Sequence, residues 1–360
     1  MGAFALYRLP RDSHFTLVEQ TEGEPQEFVS LAELNGKQGF VVAPFAVSAE
    51  QPILLIRPDC VKSMDQLDAT VVIQPTKNIT SCPSRNDYHS DFANYHAHLL
   101  SGDFKKIVLA RSAYHSPLIA HRSPLALFQD ACQRYPRMFI CLVFTSKSGA
   151  WLTATPEVLL SKADNRWQTM ALAGTMKLEG DLLNFDTSAS QSRLHIAWTD
   201  KNIQEQRYVA TYITECLERF ATAFTEHGPY TVRAGDLVHL RSDFRFTLPD
   251  EQHLGDVLCA LHPTPAVCGL PKKDAYDFIL QNEHSPRSYY SGFMGPLQMS
   301  LNSHFAPLTT HLYVSLRCMQ LLSNGYLLYA GGGLLPDSVE EQEWQETEAK
   351  METMRNLLYI

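Results

Sequence analysis

The sequence predicts an α+β fold, and three observations lead there. Strand-like runs come in blocks, stretches of helical periodicity separate the blocks, and strand and helix never alternate regularly as a doubly wound sheet requires. The 360 residues suffice for one large core or two ordinary domains.

In chain order, residues 1 to about 75 read as short strands, among them Gly39–Ala43 and Pro52–Ile56. Pro75, Asn78, Pro83 and Asn86 mark 75–87 as a loop, and helical periodicity follows over 88–100. Lys106–Arg111 is a strand, and Ser123-Pro124 opens a helix with proline at its first position. Strands are expected at Met138–Thr145, Ala150–Thr155, Val158–Lys162 and Trp167–Thr175. The polar segment 180–200 reads as a loop, and Lys201 to about Phe224 is the longest helical pattern. Tyr230–Leu248 alternates as a strand, a helix lies around 273–282, and further strands fill 289–316. The last strand, Gly325–Ala330, feeds a turn at Gly331-Gly-Gly333 and a terminal helix. Ser338 with Glu341 three residues later reads as a capping box for that helix.

Composition excludes several classes. Content of 45% hydrophobic and 19% charged residues is that of an ordinary globular protein. The 30 basic residues against 39 acidic ones give −9, without the positive field that a nucleic-acid backbone demands. No run of about 18 apolar residues marks a membrane span. Arg8 and Pro10 break the N-terminal run too early for a signal peptide. The eight cysteines are scattered without a Cys-x-x-Cys pair, which points to reduced, mostly buried thiols in a cytoplasm.

Several residue types carry chemistry. On the terminal helix Glu343, Glu346 and Lys350 fall on one face. They form either a solvated charged stripe or a surface that holds a cation and an anion together. Lys106 opens its strand, as an edge lysine or as a base turned into a cleft. Glu157, between Ala154-Thr-Pro156 and Val158-Leu-Leu160, is either a strand-end carboxylate in water or a buried acid with a raised pKa. Glu205 either bridges back to Lys201 or serves as a hard oxygen ligand facing Glu346, and two carboxylates with waters suit Mg²⁺. Three prolines within His262–Pro271 fix an extended path that aims Thr264. Arg317 ends an apolar strand with a planar fork suited to a carboxylate.

These motifs, in order, resemble the chorismate-utilising enzymes: the isochorismate, salicylate, anthranilate and aminodeoxychorismate synthases. The resemblance rests on Lys106–Arg111, Thr155-Pro-Glu157, Leu172–Thr175, Lys201–Glu205, Val238–Ser242, His262–Ala266, Arg287–Gly292, Ser315–Arg317, Ala330–Pro336 and Glu343–Lys350. It implies one domain like anthranilate synthase component I, with two packed antiparallel sheets and helices outside. Residues 91–360 would be the catalytic core, with 1–90 matching weakly.

The same resemblance implies roles. Glu205 and Glu346 would hold Mg²⁺, with Glu343 as a further or water-mediated ligand. Arg317, Lys350 and the Gly331 backbone would bind the carboxylates of chorismate. Gly174, Thr175, His239, Thr264 and Tyr290 would line the ring pocket, and Glu157 would protonate the departing C4 hydroxyl. Relatives that use ammonia carry a neutral residue at the position of Lys106, whereas those that use water carry lysine. The expected activity is therefore isochorismate formation, with salicylate synthase as the alternative and a silent chorismate binder as a third reading. Gln206 departs from the histidine common in the family, and Asn202 from its aspartate. The expected state is a monomer or weak homo-oligomer, with no nucleic-acid or membrane partner.

Overall fold

The computed structural model describes residues 2–67, 73, 75, 77–116, 122–163, 166–178, 196–234, 237–300 and 308–359. The expected loop at 180–200 lies mostly outside these residues.

The described strands form two sheets in which every pairing is antiparallel. The first runs β14 (Gly269–Leu270), β7 (Lys106–His115), β18 (Tyr326–Leu334), β17 (Cys318–Leu321), β9 (Gly149–Thr155), β8 (Phe139–Thr145), β1 (Phe4–Arg8), β2 (Phe15–Glu19) and β6 (Cys60–Met64). The second runs β12 (Ala223–Ala234), β13 (Leu237–Thr247), β11 (Arg166–Lys177), β10 (Val158–Ala163), β16 (His311–Val314), β15 (Phe293–Leu297), β4 (Gly39–Ala43), β5 (Ile53–Ile56) and β3 (Gln26–Phe28). Strands such as β4, β5 and β8 read as unbroken apolar runs because both of their faces are covered.

The two sheets face each other across a shared core. Tyr7, Phe139 and Trp151 from the first pack with Phe40, Val42, Met294 and Tyr313 from the second. The rings of Phe139 and Tyr313 stack across that seam at 4.2 Å. Helices close the outer faces. α2 (Pro124–Arg134) and α6 (Glu340–Arg355) cover the first sheet, and α3 (Asp200–Phe220) and α4 (Leu254–Leu261) cover the second. α1 (Arg85–Leu100) and α5 (Lys272–Asn282) pack around the end of β7. This is the α+β architecture that the sequence led us to expect. Among the described residues no helix is long and apolar enough to cross a membrane, and the eight cysteines are free, Cys259 being exposed.

Several local expectations are corrected. The helix begun at Lys201 stops at Phe220, and Ala223 and Phe224 pair with Thr247 and Phe246 instead. Short apolar clusters of that kind fit either period, so tertiary pairing decides. Tyr230–Leu248 is not one strand but parts of two, β12 and β13, which pair antiparallel. Helix α4 was not foreseen, being short and without a side-chain cap. The capping box does not form: Ser338 Oγ accepts from the Leu335 N–H at 3.0 Å, and Glu341 pairs with Arg85 at 3.0 Å. The Gly331-Gly-Gly333 turn is strand as well, its residues paired with Ala110, Leu109 and Val108 of β7.

Candidate active site

The glycines of β18 are explained by what fills the space beside them. A Cβ on Gly333 would lie 2.1 Å from Glu205 Oε1 and 2.8 Å from Lys106 Cε. One on Gly332 would meet Glu343 Oε2 at 3.2 Å and Glu346 Oε1 at 3.8 Å, and one on Gly331 would meet the Tyr290 hydroxyl at 2.9 Å. A strand stripped of side chains thus lets three carboxylates from α3 and α6 approach β18.

Each of those carboxylates faces a lysine. Lys106 Nζ lies 2.9 Å from Glu205 Oε1, Lys350 Nζ lies 2.6 Å from Glu346 Oε1, and Lys201 pairs with Glu343. The bridge from Glu205 to Lys201 that the helical spacing allowed is therefore replaced by one to Lys106. Burial pushes Glu205 up, but Lys106, Lys201 and Lys350 outweigh it and hold the carboxylate below its usual range. Glu343 is raised, by burial first and then by the charge of Glu346. Burial works against the charge of Lys201, yet Glu343 and Glu346 hold its pKa up.

Beside this cluster lies a pocket between the two sheets. Glu157, Gly174, Thr175, Glu205, His239, Tyr290, Arg317, Gly331 and Lys350 all line it. Lys106, Glu343, Glu346 and Thr264 do not. Lys106 is wholly buried and meets the pocket through Glu205. Thr264 lies in a turn whose carbonyl accepts from Val267 and Cys268, so Ala266 and Val267 form that wall instead.

The pocket floor is built on a bulge. Gly174 has φ +67° where the β11–β13 register shifts, and a Cβ there would crowd Asn202 at 3.1 Å. Gln206 holds the bulge: its Oε1 accepts from the Ala173 N–H at 3.0 Å, and its Nε2 donates to Ala171 O at 3.2 Å. That residue departs from the family pattern, and here its amide clamps β11 to α3.

His239 Nδ1 donates to Gly174 O at 3.1 Å, and its Nε2 accepts from Arg317 Nη2 at 3.2 Å. Burial, then Arg317 and Lys350, keep this imidazole neutral, with its pKa well below the usual value. Arg317 does not end its strand. It lies three residues beyond β16 at φ +46°, a left-handed backbone that carries its fork into the pocket. Lys350 also donates to Gly331 O at 2.8 Å.

Glu157 sits between β9 and β10 with 2% of its surface exposed. Burial pushes its carboxyl up to about 7, against the pull of Arg317, Lys106 and Lys350. Of the two readings the sequence left open, the buried acid is the one found.

The residues also fit a hard divalent cation. Glu343 Oε2 is buried without a hydrogen bond, and the three carboxylates offer only oxygen. As they stand, turned onto lysines, no three acidic, histidine or cysteine groups among the described residues are close enough to hold an ion. Mg²⁺ needs only one or two carboxylates, with water and substrate oxygens completing its shell.

Comparison with known proteins identifies the family. The family model described as "Chorismate binding enzyme" matches residues 31–359. Isochorismate synthase EntC of Escherichia coli K12 is 30% identical over 210 residues, which are 58% of this chain and 51% of that protein. The chain thus spans about half the length of that relative. Isochorismate synthase MenF of the same organism is 29% identical over 317 residues, 85% of this chain and 69% of that one. In fold, the Escherichia coli MenF structure superposes with TM-score 0.75 at 22% identity, covering 99% of this chain and 88% of that one. Anthranilate synthase component I of Streptococcus pneumoniae superposes with TM-score 0.67 at 15% identity, covering 98% and 90%. With a family model spanning nearly its whole length, the chain belongs to the chorismate-binding enzymes.

Proposed function

We propose that the protein is an isochorismate synthase, converting chorismate to isochorismate with Mg²⁺. The observation that carries this reading is a protonatable buried acid and a buried lysine brought to one pocket, Glu157 lining it and Lys106 directly behind Glu205. Names of relatives such as EntC and MenF support the same reaction.

In this reading Arg317 and Lys350 take the substrate carboxylates, and the β11 bulge with Tyr290 and Val267 encloses the ring. Lys106 accepts a proton from the water that attacks C2. The ring double bonds shift, the C4–oxygen bond breaks, and Glu157 gives its proton to the departing hydroxyl, which leaves as water. One water enters and one leaves, so the reaction is an isomerisation. Mg²⁺ held by Glu205 and Glu346 would fix and neutralise the substrate carboxylate, and would compete with Lys106 for Glu205. Glu343, with an oxygen to spare, supports that site from α6.

Incubation of the purified protein with chorismate and Mg²⁺, followed by proton NMR with an EDTA control, tests the proposal. Isochorismate without pyruvate is the expected result. Salicylate with pyruvate would make the chain a salicylate synthase, and an amino product that requires ammonia would overturn the role of Lys106.

A further inference from the structure

Strand β7 carries Lys106 and is paired with β18 along nearly its full length on one side. On the other side β14 pairs only with Lys106 and Ile107, and Cys268 O then accepts the Val108 N–H at 2.7 Å. Beyond that point two side chains stand where a strand would be. Arg287 Nη2 donates to Val108 O at 2.7 Å, and the Ala110 N–H donates to Glu283 Oε2 at 2.8 Å. Arg287 and Glu283 are joined at two points, Nε to Oε1 at 2.6 Å and Nη2 to Oε2 at 2.7 Å. Both side chains are buried, and Phe45 covers the guanidinium at 4.2 Å. The remaining arm, Nη1, donates to Val267 O at 2.6 Å.

Val108 and Val267 are two walls of the pocket, on different segments, and one guanidinium holds both of their carbonyls. Val108 is also two residues from Lys106 on the same strand, so the two side chains emerge on one face. We propose that Glu283–Arg287 is a positioning pair for the reaction. It fixes the separation of the β7 wall from the proline-rich wall, and with it the reach of Lys106 toward the bound ring. A planar fork can do this and an ammonium cannot, because the bonds diverge toward two carbonyls and a carboxylate. The proposal rests on the functional reading above for the reaction, though not for the geometry.

Arg287→Lys is the test, since it keeps the charge opposite Glu283 and loses the divergent bonds. The rate is read as chorismate consumed, so the comparison stands whichever product forms. The expected result is a fall in kcat of at least about tenfold, with KM changed less than about threefold and a cooperative thermal transition retained. A folded variant whose kcat stays within twofold of wild type overturns the proposal, as does one altered only in melting temperature. If Arg287→Lys does not fold, the double variant Glu283→Gln/Arg287→Met removes both buried charges together and is read in the same way. A wild-type enzyme that consumes no chorismate refutes the functional reading instead. The pair is then judged by the geometry alone: a crystal structure of Arg287→Lys in which the Val108 and Val267 carbonyls keep their wild-type separation overturns it, and one in which the two walls part supports it.

Discussion

Lys106 Nζ and Glu205 Oε1 lie 2.9 Å apart, and it is the carboxylate, not the ammonium, that lines the pocket. A base in this position works only once Glu205 has been drawn off it. In the proposed mechanism the resting structure thus holds Lys106 in reserve, and the carboxylate that restrains it is one of the proposed Mg²⁺ ligands.

Lys106→Gln keeps most of the side-chain length but removes the basic nitrogen. Isochorismate formation is expected to fall by at least about 10²-fold. Stability should drop too, because Glu205 loses its nearest countercharge in a buried site. Initial rates and thermal melts on the same preparation check both; a variant within tenfold of wild type would remove the lysine from the mechanism.

Glu157 gives a pH signature. Its pKa is raised to about 7, so the acid form that the proposed step requires is present below that value and lost above it. The rate is expected to fall as pH rises through about 7, and Glu157→Gln should cost about 10²–10⁴ in kcat. Stability follows the same proton. The folded state binds it more tightly than the unfolded chain does, so wild-type stability declines as pH rises from about 4.5 to about 7. Above pH 7 Glu157→Gln should melt higher than wild type, and a lower melting temperature there would contradict the burial argument.

Gly333→Ala tests the cradle. The backbone there is ordinary strand, but the added methyl would lie 2.1 Å from Glu205 Oε1. Displacement of that carboxylate by even about 1 Å is expected to cost roughly 10² in rate. A folded variant with full activity would show that Glu205 has no fixed role.

Lys201→Met removes the cation paired with Glu343 and leaves the carboxylate cluster more negative. Mg²⁺ affinity, measured by calorimetry without substrate, is expected to tighten by at least about threefold. Weaker binding would mean that Lys201 orders the site rather than competing with the ion.

Much of this site was legible through the family resemblance that its short motifs carry. Glu157, Gly174, Thr175, Glu205, His239, Tyr290, Arg317, Gly331 and Lys350 were named from the chain, and all line one pocket. What was not legible depends on partners distant in sequence. That Gly331–Gly333 is strand rather than turn follows from pairing with β7, more than two hundred residues earlier. Ser338 had the right spacing for a cap, but the Leu335 N–H claimed its oxygen. The exchange of Lys201 for Lys106 as the partner of Glu205 depends on α3, packed on the second sheet, bringing that carboxylate to β7 of the first, which no helical spacing reveals. Thr264 was singled out for its rigid surroundings, yet those prolines present Ala266 and Val267 to the pocket.

The central claim, water attack at C2 paired with loss of the C4 hydroxyl, is tested most directly by running the reaction in oxygen-18 water. Isochorismate isolated at early conversion and examined by mass spectrometry should carry one solvent oxygen, located at the C2 hydroxyl. Unlabelled isochorismate would mean that the hydroxyl migrates within the substrate, and the roles given to Lys106 and Glu157 would fall together.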